Sequence, residues 1–338
     1  MRVNARKLTI YMMSFMLAII LNSMPAAAGE KVYKMKAESV WSSVSTTTTA
    51  GLNKYLDLVE QKSKGRIKFQ RFADAALAKP KMALDALEVG AIDVLLSYPA
   101  YYSGMVPEGE IFANPFLFEK MKSVLDIYYN TEVGTLVQEA YKEKGAVLLC
   151  PLIMSANILS TRNKVENLEQ LKGLKIRSSG GVVAQTCKAM GASPVMLVGS
   201  EIYTGLQRGI VDGYIYALYS AWDYKFYEQA KYIVQPDLGF IVVDIWISKR
   251  AFDSLPQDLQ KIFMAAGKEH ANNMLIRAEK AVEGSWKKLK EVGVEAVNFS
   301  AADMEELKKR FKANVWPTYV KNQRCKKILD ICLKHEGL

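Results

Sequence analysis

The sequence predicts an α/β protein organised as two related lobes, and three observations carry that prediction. Short apolar strands alternate with amphipathic helices, an order that builds a mostly parallel sheet. One unit of the alternation has an echo: Leu87-Glu-Val-Gly90-Ala-Ile-Asp93 matches Leu206-Gln-Arg-Gly209-Ile-Val-Asp212, 119 residues on. Each reads as a helix, a glycine stop and an Asp where a strand begins. The chain of 338 residues is also longer than one hydrophobic core usually serves.

The elements follow in order. Arg2, Arg6 and Lys7 precede an apolar stretch from Leu8 to Leu21, and Ala26-Ala27-Ala28 stands before Gly29. This is the layout of a secretory signal peptide over residues 1–28. The apolar stretch is short for a bilayer, which needs about 20 residues. No cysteine stands directly after it, which speaks against a lipid anchor, and no later stretch is long and apolar enough to span a membrane. Val32 to Ala37 reads as a first strand. Thr46 to Lys64 reads as a helix with Leu52, Tyr55, Leu56 and Val59 on one face and Gly65 as its stop. Ile67 and Phe69 mark a second strand. Pro80 opens a helix that Gly90 closes, and Ile92 to Leu96 is a third strand. Leu174 to Ile176 is a strand running straight into Arg177, with Ser178, Ser179, Gly180 and Gly181 opening a helix behind it. Farther on, Ser254-Leu-Pro-Gln257 has the form of a capping box ahead of a helix over 256–291. Gly293 ends that run, and Ser300 caps one more helix. With no low-complexity linker, strands crossing between the lobes are the expected connection.

Removing residues 1–28 lowers the formal charge from +10 to +7, with 42 Lys and Arg against 35 Asp and Glu. That modest basicity favours anions and gives no case for nucleic acid in an exported chain. The cysteines, Cys150, Cys187, Cys325 and Cys332, lack metal-ligand spacing. An oxidising compartment would permit disulfides. However, Cys325 and Cys332 on one helix would stand about 10 Å apart along its axis, too far for a bridge, and buried or idle thiols are expected.

Catalytic motifs are missing. There is no G-x-S-x-G elbow, no phosphate loop, no dinucleotide fingerprint and no H-E-x-x-H zinc helix. The two histidines, His270 and His335, fall among charged residues and read as a solvated helix face. Arg177 is the leading functional candidate. It stands where a strand gives way to a helix, the place where open α/β sheets hold ligands, and its planar guanidinium suits a carboxylate. The competing assignment for Arg177 is a salt bridge within the fold.

Residues 171–213 resemble the signature of the DctP-type solute-binding proteins, which serve tripartite ATP-independent periplasmic (TRAP) transporters. The matching elements are Leu171 to Arg177, Gly191-Ala192-Ser193-Pro194, Glu201, Tyr203, Leu206-Gln207, Gly209 and Asp212-Gly213. Weaker matches lie near Gly65 and Gly90 and at Asn114 to Phe118. The resemblance implies a two-lobed periplasmic-binding-protein fold, type II-like, with hinge strands and a long C-terminal helix spanning both lobes. Residues 29–153 plus about 241–300 would form lobe I. Residues 154–240 with parts of the C-terminal helices would form lobe II, and 301–338 a C-terminal helical segment. It implies that Arg177 clamps a carboxylate, with the helix after Gly180 adding its N-terminal dipole.

Two departures from the family pattern bear on the ligand. Where many members carry a second arginine, this chain has Ala156, with Asn157 beside it. Where many place Asn after the D-G pair, it has Tyr216, within an aromatic run that includes Tyr214, Tyr219 and Trp222. Trp41 follows the first strand, and Tyr98, Tyr101 and Tyr102 follow the third. Fewer polar groups and more rings point to a ligand with an aromatic or apolar body. The candidate site is therefore Arg177, Tyr216, Trp41, Tyr98, Asn157 and Ser178. Some relatives co-bind a cation, and Asp237 and Asp244 are conceivable ligands, but no metal and no cofactor is expected.

The reading is a periplasmic binding protein, not an enzyme and not membrane-embedded after signal removal. Its partners are a small-molecule carboxylate and the subunits of a TRAP membrane permease. The alternatives are a sensing module for a receptor kinase and, further off, a periplasmic enzyme.

Overall fold

The computed structural model describes residues 31–43, 47–235 and 237–338. The signal-peptide expectation, residues 1–28, lies outside them. The compact body spans Lys34–Leu338. Its first portion runs β1 (Tyr33–Ser39), α1 (Thr48–Lys62), β2 (Ile67–Phe72), α2 (Ala83–Glu88) and β3 (Val94–Ser97). Helices α3 (Met121–Asn130) and α4 (Val133–Lys142) lead into the long strand β4 (Ala146–Thr161). The second portion runs β5 (Lys175–Ser178), α5 (Gly181–Ala189), β6 (Ser193–Met196), α6 (Ile202–Gln207) and β7 (Gly213–Ala217). Then come α7 (Leu218–Asp223), β8 (Tyr232–Gln235), β9 (Phe240–Ser248), α8 (Lys249–Asp253) and α9 (Gln257–Glu291). Finally β10 (Glu295–Asn298) precedes α10 (Ala301–Asn314), α11 (Trp316–Tyr319) and α12 (Gln323–Glu336).

The strand order is β2-β1-β3-β9-β4-β7-β5-β6, with β8 between β4 and β10. The sheet is mixed, not mostly parallel as expected. β1–β3, β5–β6 and β5–β7 are parallel, while β3–β9, β9–β4, β4–β7 and β4–β8 are antiparallel. The cause is β4, buried along all 16 residues. It pairs with β9 over Ala146–Ala156 and with β7 over Asn157–Thr161, so one strand serves both portions. Register shifts between Leu148 and Cys150 and between Ile153 and Ser155 bend it on the way.

The echo read from the sequence extends to individual hydrogen bonds. Lys36 N–H donates to Asp93 Oδ2 at 2.8 Å, and Asp93 N–H returns to the Lys36 carbonyl at 2.9 Å. Lys175 N–H donates to Asp212 Oδ2 at 2.8 Å, and Asp212 N–H returns to the Lys175 carbonyl at 2.7 Å. Ala37 pairs with Val94 as Ile176 pairs with Gly213. Gly90 and Gly209 both stand at positive φ, which glycine adopts without steric cost. By this correspondence Glu38 occupies in the first portion the station that Arg177 occupies in the second.

Helix α9 has 35 residues and is about 50 Å long at 1.5 Å per residue. It lies directly on β4, since a Cβ at Gly267 would collide with the Leu149 carbonyl. Tyr55 of α1 donates to the Phe263 carbonyl of α9 at 3.1 Å. His270 is only 4% exposed, its ring centroid 5.8 Å from that of Tyr55. The solvated-face expectation for His270 fails because α1 covers that side of α9. Burial pushes its imidazole down to about 4, so it is neutral at pH 7. His335 is exposed, as expected. The capping box at Ser254 does not form: Ser254 Oγ donates to Ala251 O, ending α8, and Pro256 precedes α9. Ser300 does cap, accepting from Asp303 N–H at 3.1 Å.

All four cysteines are buried free thiols, with Cys325 and Cys332 together on α12. A thiol reagent should leave the native protein almost unmodified and react with four groups after denaturation. Fewer than four would reveal a disulfide.

Candidate functional site

Five of the six candidate residues stand at the carboxyl ends of parallel strands, Ser178 being the last residue of β5. Trp41 lies two residues past β1, Tyr98 directly follows β3, and Arg177 and Tyr216 are next to last in β5 and β7. This edge is where the strand-to-helix turns of an α/β sheet leave room for ligands. Gly180 at φ +101° turns the chain from β5 into α5.

Arg177 is 1% exposed. Its Nε donates to the Leu197 carbonyl at 2.9 Å and its Nη1 to the Ile215 carbonyl at 3.0 Å. The Tyr216 ring lies against the guanidinium, with 4.8 Å from Cζ to the ring centroid. Trp41 Nε1 donates to the Tyr216 hydroxyl at 3.0 Å. The salt-bridge alternative does not hold: among the described residues no carboxylate pairs with Arg177, and Nη2 is buried without a hydrogen-bond partner in the chain. Since buried polar atoms are normally satisfied, and a buried charge left unpaired is costly, the free edge of this guanidinium is suited to an anion. The two backbone bonds also give Arg177 a structural duty. Glu38, at the equivalent station, accepts from Leu77 N–H at 2.6 Å and likewise ties down the loop after the neighbouring strand.

Tyr98 and Tyr101 pack edge to face at 5.7 Å. Burial pushes the Tyr101 hydroxyl up to about 12 with Tyr216 adding to the rise, and the nearby Arg177 charge opposes it. Tyr98, also raised by burial, feels the same guanidinium charge. Ser178 Oγ and Asn157 Oδ1 are buried without partners in the chain. Asn157 pairs with Ala217, next to Tyr216, while Arg177 pairs with Tyr214 from the other side of β7. The structure thus joins Arg177, Tyr216 and Trp41 in one contact chain, sets Tyr98 near it, keeps Ser178 next to Arg177 at the end of β5, and places Asn157 on β4 across from the end of β7.

Two residues outside the six candidates also belong to this site. Tyr101 was noted only as part of an aromatic run. Glu110 carried no motif at all, yet its carboxyl accepts from Val182 N–H at 3.3 Å. The first-turn donor that α5 was expected to offer a ligand is therefore held by a protein carboxyl.

The site is closed. A void lined by Tyr98, Glu110, Phe112 and Phe240 has about 10 Å³, room for one water. The larger groove, about 350 Å³, lies between α1 and α9 beside Lys54 and Arg277 and contains none of the six candidates. A ligand can reach Arg177 only if the chains around it part. Asp237 and Asp244 are not gathered with other donors: no metal-binding cluster occurs among the described residues. Burial raises both carboxyls, Asp237 to about 6. No helix among the described residues is long and apolar enough to cross a membrane.

Residues 38–322 match the DctP family, described as bacterial extracellular solute-binding protein, family 7. The chain belongs to the DctP family. A solute-binding protein of Albidiferax ferrireducens is 28% identical over 277 residues, covering 81% of this chain and 82% of its own. Among solved structures, a TRAP periplasmic solute-binding protein of Desulfovibrio salexigens with bound orotic acid superposes with a TM-score of 0.84 at 21% identity. That match covers 90% of this chain and 99% of the other. A second, from Rhodoferax ferrireducens with bound malonate, has a TM-score of 0.82 at 25% identity, covering 90% and 98%. The expected two-lobed binding-protein fold is thereby established. DctP proteins bind small molecules for transport together with a membrane permease and are not an enzyme family.

Proposed function

We propose that this DctP protein captures an organic acid between two lobes in the periplasm, after loss of residues 1–28, and delivers it to a TRAP-type permease. Residues 29–153 with about 241–300 form lobe I, and 154–240 with parts of the C-terminal helices form lobe II. The ligand is a monocarboxylate with an aromatic or apolar body. Arg177 holds the carboxylate through its Nη1–Nη2 edge. Tyr216, Trp41 and Tyr98 enclose the body, while Ser178 and Asn157 offer polar contacts. The observation that carries this reading is a buried arginine with no acid partner, an unpartnered Nη2 and a tyrosine ring stacked on its face. Closure removes water from the ion pair and strengthens it.

The two solved relatives frame the test, because orotate is a ring monocarboxylate and malonate a small dicarboxylate. A ligand at about 100 times its Kd stabilises the native state by about 2.7 kcal/mol. Thermal-shift measurements should give larger rises with orotate and benzoate than with malonate and succinate. The opposite ranking would reject the aromatic pocket while leaving Arg177 as the anchor. No rise with any of the four would count against carboxylate capture.

A further inference from the structure

The mature chain carries a second buried charge-bearing group at this site, Glu110, which the carboxylate reading leaves without a task. Its segment, Pro107–Ala113, is firmly held on the far side. Tyr319 donates to the Glu108 carbonyl at 3.1 Å, and Glu108 Oε1 accepts from Asn322 at 2.9 Å and from Arg324 at 3.4 Å. Glu108 is thus paired, whereas Glu110 points the other way and meets α5. Its Oε1 accepts from Val182 N–H, and a Cβ on Gly181 would collide with the carboxyl. Gly181, at φ +49°, is therefore the residue that lets Glu110 reach the first turn of α5. Arg177 lies only four residues before Gly181.

We infer that Glu110 is a positioning residue: it docks the first turn of α5, and with it the Arg177 strand, onto the 107–113 segment, and closure of the site takes up one proton at its carboxyl. The inference rests on the proposed closure of the two lobes around Arg177.

The groups facing Glu110 explain the proton. Tyr98 stands on one side and Tyr141 of α4 on another, both phenols raised by burial. Asp244 of β9, raised by its own burial, lies beyond Tyr141. Lys321, ahead of α12, is the cation that favours the charged form. One long backbone hydrogen bond and this lysine do not offset the loss of water: burial, 5% exposure, raises the Glu110 carboxyl from 4.5 to about 8. With the lobes parted, Glu110 returns to water and ionises as an ordinary carboxylate. Closing at neutral pH therefore transfers one proton from solvent to the Glu110 carboxylate. The sign follows: closure is favoured fully on the acid side, and is progressively lost as pH rises from about 4.5 to about 8. Within that window the closed-to-open ratio falls by up to about tenfold per pH unit.

Small-angle scattering of residues 29–338 between pH 5.5 and 8.5 tests this. The wild-type radius of gyration should rise with pH as the lobes part, while Glu110→Gln, which cannot ionise, should stay compact throughout. Gly181→Ala keeps the carboxyl but blocks its docking, so it should be expanded even at pH 5.5. It serves as the test if the glutamine variant fails to fold. A flat wild-type curve, or superimposable wild-type and Glu110→Gln curves, would overturn the inference. Arg177→Lys separates the two readings. It should keep the pH response while its thermal shift with orotate shrinks. A retained orotate shift would remove the carboxylate reading and leave the Glu110 dock standing.

Discussion

Arg177→Lys is expected to raise the Kd for the preferred carboxylate by about 10- to 100-fold, read by isothermal titration. Lysine keeps the charge, but it is a point donor on a flexible stem and cannot present the Nη1–Nη2 edge. A hydrogen bond to a charged group is worth about 1.5–3 kcal/mol net, which sets that range. The same change removes the donors to the Leu197 and Ile215 carbonyls. Leaving a buried acceptor unsatisfied costs about 1–3 kcal/mol, so the melting temperature of the free protein should fall as well. The two effects separate by comparing affinity with stability. A variant less stable but equally tight in binding would show Arg177 to be a structural tie alone.

Gly267→Val should destabilise the fold by about 3 kcal/mol, at the upper end for an overpacked core. The added side chain would meet the Leu149 carbonyl and the Cys150 Cβ, so α9 could not stay on β4. The paired control is Gly284→Ala on the same helix, where a Cβ meets nothing within 4 Å. Alanine is preferred to glycine inside a helix by about 1 kcal/mol, so this variant should melt slightly higher than wild type. Chemical denaturation of both proteins checks the pair. Equal stability of Gly267→Val and wild type would mean that the helix does not rest on the strand at that point.

Much of the fold was legible because local chemistry agreed with it. The echo at Leu87 and Leu206 marked two units whose Lys–Asp clasps share one register. Arg177 was placed at a strand end by the apolar run before it and the glycines after it. What stayed hidden depended on tertiary partners. The apolar runs of β4 and β9 give no strand direction, so the antiparallel centre of the sheet was missed. His270 looks solvated beside Lys268 and Glu269 until α1 is laid over it. Glu110 lies 72 positions from Val182 in a stretch without a motif, and its significance comes from which backbone it meets. The bond from Trp41 to Tyr216 spans 175 positions and is equally unreadable from spacing.

The placement of β9 between β3 and β4 has a consequence for how the polypeptide comes to be folded. As the chain emerges from its N-terminus, β3 and β4 arrive well before Phe240–Ser248. Until then each has an open edge of unpaired backbone groups, the kind of border that invites association with other chains. Pairings of such large sequence separation also form slowly. Roughly the first two-thirds of the polypeptide must therefore wait, shielded or unfolded, for one late strand to be threaded between two early ones.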